Sequence, residues 1–313
     1  MNKFFKIMAL ALLTVGMMSC SKDEEKPASG SNPQQTIPEG ALAGKFTVDA
    51  EGNQVMFSQG NLQWRAIDDH AVAGGTTKPG QWRFAPKQWD TIGAANHNIS
   101  QSYSGWIDLF GFSTSGYKSK SPYMTVAQPG QYVGDENDGN LAGTNYDWGV
   151  YNAITNGGNT PGKWRTLTHA EWQYLLKTRT TESGYRYAKA RVAGVCGLVL
   201  LPDNWNTTTY PLTNANIQDA AYEANAIQSS IWTNTLEPAG CVFLPAAGMR
   251  FITESDVDNA TTISGVGTGG WYWSATNSTG DGAVYATFSS NSVNVTTNLR
   301  YAGFSVRLVC DVQ

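Results

Sequence analysis

The clearest structural signal lies in residues 162–172, which read Gly-Lys-Trp-Arg-Thr-Leu-Thr-His-Ala-Glu-Trp. Thr168 precedes Glu171 by three positions, which is the spacing of a capping box at a helix N-terminus. Trp172, Leu175 and Leu176 then follow at helical spacing and would form one buried stripe. The stretch therefore predicts a helix over residues 168–178, with its apolar stripe facing the core.

Strand signals flank this helix on both sides, and most of them follow it. Residues 45–57 alternate around a turn that contains Gly52 and predict a hairpin, and residues 81–84 predict a further strand. A second, weaker helix is predicted over residues 217–226. Short β-rich segments between turn residues predict later strands at 242–244, 270–275, 283–289, 292–296 and 304–309. The pattern predicts an α+β fold with a strand-rich C-terminal half and one or two helices.

The N-terminus has the features of an export signal. Two lysines lead into residues 7–18, an uncharged and mostly apolar run that is shorter than the roughly 20 residues needed to cross a bilayer. Ser19-Cys20 follows at once, and the whole pattern resembles the lipobox of bacterial lipoproteins. The resemblance implies that residues 1–19 are a signal peptide and that Cys20 carries a lipid. The alternative is an ordinary secretory signal followed by an unrelated cysteine.

The residues behind Cys20 are acidic and small. The acidic run 23–25 resembles the surface-export signal of Bacteroidetes lipoproteins, and the alternative is a solvated tether. Residues 20–43 contain almost no large apolar residue, so we expect the lipidated cysteine and a disordered tether there. Ordered structure is expected over residues 44–313. The expected location is the outer membrane, with the protein displayed on the cell surface and held to the membrane by its lipid anchor.

The composition restricts the class of partner. Charged residues make up 15% of the chain, the formal net charge is −4, and no basic cluster occurs in the sequence, so nucleic-acid binding is not expected. The 33 glycines and 11 tryptophans are typical of an extracellular, loop-rich fold with aromatic packing. Cys196, Cys241 and Cys310 remain after Cys20. Their odd number leaves open one disulfide with a free thiol, or three buried thiols.

Three segments, in the right order, resemble C-type-lectin-like domains of the sulfatase-modifying-factor type. They are the 162–172 stretch, residues 270–276 (Gly-Trp-Tyr-Trp-Ser-Ala-Thr) and residues 301–309 (Tyr-Ala-Gly-Phe-Ser-Val-Arg-Leu-Val). Residues 57–64 and 146–150 are similar to Bacteroides surface lipoproteins with a Fibrobacter-type major paralogous domain. The resemblance covers most of the chain after the tether. It implies a C-type-lectin-like fold, with paired N- and C-terminal strands and a loop-rich upper half that binds ligands.

The same resemblance argues against the family's known chemistry. The formylglycine-generating members use two active-site cysteines, and Cys241 and Cys310 do not have the spacing of that pair. Sugar-binding C-type lectins hold calcium with Glu-Pro-Asn and Trp-Asn-Asp motifs. Here Ala239 follows the Glu-Pro pair, and residues 204–206 read Asn-Trp-Asn without the final Asp. Neither the oxidase activity nor calcium-dependent sugar binding by that device is therefore expected.

Other candidate motifs have plainer interpretations. The oxygen-rich run 135–140 keeps calcium open, but it lacks the alternating EF-hand spacing and predicts a turn. The glycine run 265–270 leads into a strand and predicts a turn, not a phosphate-binding loop. His70, His97 and His169 lie in no catalytic motif. A carboxylate pair for glycoside hydrolysis stays open, because sequence does not show proximity. We expect no cofactor and identify no catalytic residue.

Residues 276–301 are the strongest candidate for recognition. Asn, Ser, Thr and Tyr alternate there with apolar or small residues, so a strand would present many hydrogen-bonding groups on one face. The alternative is a solvated sheet face. The segment also resembles the variable C-terminal segment of diversity-generating retroelement targets, which use the C-type-lectin fold. The predicted ligand-binding residues are Trp271, Tyr285, Asn291, Asn294 and Tyr301.

Together these features predict a surface-anchored, adhesin-like lipoprotein that binds a glycan or a cell-surface protein without chemistry. Two alternatives stay open. One is an envelope enzyme, either a hydrolase or a degenerate relative of the formylglycine-generating enzymes. The other is a purely structural envelope protein.

Overall fold

A computed structural model of the protein describes residues 36–66, 80–99, 103–122, 140–251 and 262–312. Its strands are β1 (Phe46–Thr47), β2 (Gln54–Phe57), β3 (Leu62–Ala66), β4 (Gly80–Phe84), β5 (Tyr187–Val192), β6 (Val195–Leu200), β7 (Ala226–Ile227), β8 (Val242–Pro245), β9 (Ala247–Phe251), β10 (Thr262–Val266), β11 (Gly270–Asn277), β12 (Gly282–Ser289), β13 (Ser292–Leu299) and β14 (Val309–Asp311). Its α-helices are α1 (Trp148–Tyr151), α2 (His169–Gln173) and α3 (Ser229–Ile231). 3₁₀ turns lie at Gly93–Asn98, Tyr117–Ser119 and Tyr222–Asn225, and π-helical turns at Tyr174–Thr178 and Trp232–Leu236.

The strands form four sheets, in the orders β1-β2-β14, β10-β9-β11-β12-β13, β3-β4 and β7-β5-β6-β8. Strands outweigh helices, and ten of the fourteen strands within the described ranges lie after residue 186. The predicted α+β, strand-rich class with few helices is therefore confirmed. In the described ranges no helix has both the length and the apolar character needed to cross a membrane.

The predicted N-terminal hairpin is confirmed, and the C-terminal strand completes its sheet. β1 and β2 pair antiparallel around a turn in which the Asn53 backbone N–H donates to Asp49 Oδ1 at 2.9 Å. Gly52 has a φ of 87° in this turn, a conformation that glycine adopts without strain. β14 pairs antiparallel with β2 on its other side. Ala41 already forms a bridge with Ser58, so ordered packing begins before residue 44.

The predicted helix over residues 168–178 is also confirmed, as α2 and the π-helical turn that continues it. Thr168 accepts a hydrogen bond from the Glu171 backbone, and the Glu171 side chain accepts one from the Thr168 backbone, so both halves of the capping box are present. Trp172, Leu175 and Leu176 are buried. They belong to one core cluster with residues of β1, β2 and the β11–β13 sheet.

The hairpin of β5 and β6 was not predicted from the sequence. Its two-residue turn is Ala193-Gly194, with φ values of 49° and 87°. Alanine is rare in such a left-handed position, so the pair is a weak hairpin signal. Five of the six residues of β5 are buried, which removes the alternation that marks a strand with one solvated face.

The second helix, predicted over residues 217–226, is wrong. The chain there forms only the 3₁₀ turn Tyr222–Asn225 and then enters β7. Ile217 is 46% exposed, so the segment has no continuous apolar face to bury. The Asn225 amide nitrogen also donates to the Lys189 carbonyl at 2.8 Å, which ties the segment to β5 as an irregular loop.

The strand predicted over residues 304–309 is corrected in its bounds. Phe304 and Ser305 form single bridges, to Phe110 and Tyr272 respectively, and the regular strand β14 begins only at Val309. Different neighbours bury successive residues of this segment, so its continuous apolar run does not correspond to a strand that pairs with one partner along its whole length. The strands predicted around residues 242, 270, 283 and 292 are confirmed as β8, β11, β12 and β13.

Most of the largest fully buried side chains in the described ranges are aromatic. Trp164, Trp172 and Trp273 are each 1% exposed or less, as predicted for core tryptophans. The thiols of Cys196, Cys241 and Cys310 are all buried and free. Of the two arrangements that the sequence left open, the structure has three buried thiols and no disulfide among these three residues.

Candidate ligand-binding face

The register of β11, β12 and β13 decides which side chains share a face. Trp271 lies opposite Thr287, and Thr287 lies opposite Asn294, so these three form one row across the sheet. In the neighbouring row Trp273 lies opposite Tyr285, and Tyr285 lies opposite Thr296. Because residues directly opposite one another point to the same side, both rows belong to one face. We call it the outer face.

The opposite, inner face is buried against the helix. It carries Tyr272, Ala286 and Val295, which lie opposite one another and are each at most 7% exposed. They belong to the same core cluster as Trp172 and Leu175. The helix therefore covers one side of the sheet and leaves the outer face to be filled by other residues or by solvent.

The outer face is open along β13. Its side chains on this strand are Ser292, Asn294, Thr296 and Asn298, and Asn294 and Thr296 are exposed. The alternating residues Val293 and Val295 are buried, so the predicted polar-out, apolar-in alternation holds over this part of the strand. Trp271 and Thr287 are half-buried in the same row as Asn294. Two predicted ligand-binding residues, Trp271 and Asn294, are thus brought together by the sheet.

Trp271 is held in place by the glycine run that precedes it. A Cβ atom on Gly265 would lie 2.7 Å from the Trp271 ring, and one on Gly269 would lie 2.6 Å from it. Both glycines therefore leave room for the indole, and the chain turns at Gly267 with a φ of 77°. The 265–270 run is a turn beside a strand, as predicted, and its glycines leave space for the Trp271 ring.

Tyr285 does not belong to the open part of the face, which corrects the prediction for this residue. It is 7% exposed, with its ring 4.7 Å from Phe304 and 6.1 Å from Trp273 between centroids. Burial raises the pKa of its hydroxyl group. Alternation alone placed Tyr285 on the correct side of the sheet, but the segment around Phe304 covers that end of the face.

Asn291 and Tyr301 lie at the margins of the strands. Asn291 is exposed in the turn between β12 and β13, where the Ser289 hydroxyl donates to its Oδ1 at 2.8 Å. Tyr301 is half-exposed in the segment that follows β13. Arg300, beside it, donates to the Gly282 carbonyl at 3.0 Å and so fixes this segment to the start of β12.

The sequence analysis did not identify Thr287, which lies on the outer face, or Lys177, which lies at its edge. Thr287 connects Trp271 to Asn294, and its place in the alternation of β12 could have identified it. Lys177 comes from the π-helical turn after α2, with its Nζ 3.3 Å from the Val293 carbonyl oxygen and 3.5 Å from Asn294 Oδ1. No sequence signal connects Lys177 to a strand more than a hundred residues later. It adds a positive charge at the open edge of the face.

The candidate face lies inside a region that matches a known family model. Residues 202–309 match the family described as Domain of unknown function (DUF8237). The match covers about a third of the chain and includes β7 to β13. No curated protein matches the chain, and no solved structure matches it.

The metal and histidine candidates of the sequence fall partly inside and partly outside the described residues. No group of three or more His, Cys, Asp or Glu side chains in the described ranges could hold a metal ion. Residues 135–139 of the calcium candidate, His70 and the predicted anchor Cys20 lie outside the described residues. His169 begins α2, and its Nε2 lies 3.3 Å from the Gln173 amide nitrogen.

Two fully buried carboxyl groups have perturbed pKa values but structural surroundings. Burial raises the pKa of Asp108 and of Asp147 to about 6 in each case. Asp147 caps α1 and accepts hydrogen bonds from Gly149 and from both the backbone and the hydroxyl of Thr166. Asp108 accepts hydrogen bonds from the Ile92 backbone and the Asn96 amide. Because these acceptors are engaged inside the core, both groups stabilise loops.

A polar cleft of about 290 Å³ beside the N-terminal hairpin is the other place where carboxylates gather. Arg165 lies at its centre and forms ion pairs with Glu171, at 2.7 Å, and with Asp311, at 2.8 Å. The Glu171 carboxylate is also the acceptor of the α2 capping box. This arrangement ties the helix to β14 and leaves neither carboxylate in the role of a free acid or base.

Proposed function

We propose that this protein is a lipid-anchored surface lipoprotein of the Bacteroidetes type, whose C-type-lectin-like domain binds a glycan or a cell-surface protein without chemistry. The observation that carries the proposal is the open outer face of β11–β13, with Trp271, Thr287 and Asn294 in one row. A half-buried indole beside exposed amide and hydroxyl groups provides contact area together with adaptable hydrogen bonding.

Two further observations support the proposal. The N- and C-terminal strands pair in one sheet, as the resemblance to C-type-lectin-like domains implies. The outer face is also backed by a helix and a buried inner face, so its polar groups are presented on a rigid element rather than on a loop. Because the backbone of these strands is already ordered, binding does not have to order a loop, which lowers the entropic cost.

The test compares two double variants in binding to glycan and protein arrays. Asn294→Ala with Thr296→Ala removes two exposed polar groups of the outer face. Asn204→Ala with Thr207→Ala removes the same residue types at exposed positions outside β11–β13. We expect a ligand captured by the wild type to bind the first variant at least about tenfold more weakly, which corresponds to about 1.4 kcal/mol, and to bind the control unchanged.

The same test also measures the melting temperature of both variants and any cleavage of the bound ligand. Both variants should melt within a degree or two of the wild type, because truncating exposed side chains costs about 0.5 kcal/mol or less. Equal binding by both variants would contradict the outer face as the site. Release of a cleaved product from the bound ligand would favour the envelope-enzyme alternative.

The retroelement hypothesis is a finer version of the same proposal. Exposed Asn and Thr residues on β13 alternate with buried valines, so the exposed positions could vary without disturbing the core. The hypothesis requires a near-copy of the DNA for residues 276–301 close to the gene, differing almost only where the copy has adenine. Sequencing the genomic neighbourhood decides it, and the absence of such a copy would leave the binding proposal intact.

A further inference from the structure

A pair of arginines lies on the hairpin of β3 and β4, away from the β11–β13 sheet. The two strands pair antiparallel with Gln63 opposite Arg83 and with Arg65 opposite Gln81. The intervening tryptophans of both strands are buried on the other side of the hairpin. Strict alternation therefore places the two arginines and the two glutamines on one face, on which Arg65 is exposed, Gln81 is partly exposed and Gln63 is buried.

Neutral amides hold each guanidinium in place. Arg65 Nε donates to Gln81 Oε1 at 3.0 Å, and Arg83 Nε donates to Gln63 Oε1 at 2.8 Å. A guanidinium has five N–H donors, so one bond each leaves the terminal nitrogens available. Across the described ranges, neither guanidinium forms an ion pair with a carboxylate. Arg65 is exposed and Arg83 is half-exposed.

Trp106 brings the two charges together. The backbones of Trp64 and Ile107 exchange two hydrogen bonds, of 2.9 and 2.8 Å, which place Trp106 alongside Arg65. The Arg83 guanidinium carbon lies 3.7 Å from the centroid of the Trp106 ring, and that of Arg65 lies 4.8 Å from it. Stacking on an indole orients a guanidinium without neutralising its charge.

The arrangement leaves two like charges side by side. The pKa of Arg83 is lowered, first by burial and then by the charge of Arg65, while Asp90 opposes the shift only through a longer-range attraction. Two like charges that stack on one ring repel each other, although they lie at diagonal and not at directly opposite positions of the strand pair. A bound anion would offset this repulsion by attracting both charges. The guanidinium N–H groups that would donate to it are already oriented by the glutamines and the indole.

We propose that Arg65, Arg83 and Trp106 bind a tetrahedral oxyanion, a sulfate or phosphate ester, carried by a glycan. Two guanidiniums at diagonal positions offer donors from two directions, and a tetrahedral oxyanion has enough oxygens to accept from both. A planar carboxylate matches a single guanidinium fork instead. The chain's net charge of −4 argues against a long polyanion such as nucleic acid, which would be repelled outside this local patch. The site goes beyond the proposed outer-face function, because it uses a different sheet.

The experiment measures binding of the full chain to sparsely sulfated dextran, to sparsely phosphorylated dextran and to unmodified dextran, by biolayer interferometry. Sparse substitution is needed because a densely charged polymer would be repelled by the negative net charge of the chain. We expect at least one of the two charged dextrans to bind, the preferred one identifying the ester, and unmodified dextran not to bind. Arg65→Gln and Arg83→Gln should each weaken binding about tenfold, since each removes one charge-assisted contact. Arg83→Lys should not restore wild-type binding, because lysine keeps the charge but loses the fork and the stacking.

Two controls separate the site from its alternatives. Arg191→Gln removes the same charge from an exposed arginine that pairs with Glu223, and it should leave binding unchanged. The Asn294→Ala, Thr296→Ala variant should also bind normally, so a failure of the outer-face proposal would not affect this result. Melting curves of the Arg65→Gln variant verify the fold.

Several outcomes would overturn the proposal. They are equal weakening by Arg191→Gln, equal binding of unmodified dextran, stronger binding to single-stranded DNA of matched charge, or no binding of either charged dextran.

Discussion

Four of the five fully buried tryptophans in the described ranges fall into two pairs according to the environment of the indole N–H group. Nε1 of Trp164 and of Trp273 donates to a backbone carbonyl, at 2.8 and 2.7 Å respectively. Nε1 of Trp148 and of Trp172 has no hydrogen-bond partner within the described ranges. All four are at most 1% exposed. The pairs are therefore matched in burial and differ in hydrogen bonding, which predicts different responses to phenylalanine.

The expected loss of stability in each variant has two contributions, which are the lost packing of the ring and the change in hydrogen bonding. Truncating a buried tryptophan to alanine costs about 3–5 kcal/mol, and phenylalanine, which retains much of the ring contact, should cost less at all four positions. At Trp164 and Trp273 the substitution also leaves a buried carbonyl unpaired, which costs about 1–3 kcal/mol. At Trp148 and Trp172 it removes a donor that is already unpaired and so offsets part of the packing loss. We expect the first pair to lose about 2 kcal/mol more stability on average.

Denaturant unfolding of the four Trp→Phe variants, followed by far-UV circular dichroism, measures these differences. Unfolding free energies are compared only where the m-values agree with the wild type, because a changed slope indicates a changed denatured state. Equal losses in all four variants, or larger losses at Trp148 and Trp172, would refute the reasoning. Equal losses would mean that the indole N–H groups are equally satisfied in the folded protein, and larger losses at Trp148 and Trp172 would mean that lost packing outweighs the hydrogen bond.

Two further predictions concern a buried carboxyl group and the lipid anchor. Burial raises the pKa of Asp147 in the folded protein to about 6, above its value in the unfolded chain. Protonation of this carboxyl group therefore stabilises the folded state at low pH, and that stabilisation is lost as the pH rises through about 6. The wild type should therefore gain about 1 kcal/mol of stability over Asp147→Asn between about pH 7 and about pH 5, measured by urea unfolding, and an unchanged stability difference between the two pH values would contradict the raised pKa. Cys20→Ala should abolish metabolic labelling with a palmitate analogue, and undiminished labelling of that variant would exclude Cys20 as the anchor.

Features with a local physical cause were predictable from the sequence. The capping box of Thr168 and Glu171 and the stripe that begins at Trp172 are set by side chains within three or four positions of one another. The alternation along β13 likewise predicted an exposed Asn294 between buried valines. Failures occurred where the local signal was weak. The Ala193-Gly194 turn carries no strong hairpin residue. The segment after Ile217 is held by the Asn225 side chain, which donates to the carbonyl of the distant Lys189, and not by its own periodicity.

The sequence by itself thus determined the α+β class, the main helix, the N-terminal hairpin and the polarity of the candidate strand, because these depend on neighbours along the chain. Tertiary structure alone decided which residues act together. Phe304 covers Tyr285 and removes it from the face, whereas Lys177 reaches the edge of β13 from the helix. Arg65 and Arg83 meet over Trp106 for the same reason. Strand register and packing join residues that are far apart in the chain, and no local pattern encodes those distances.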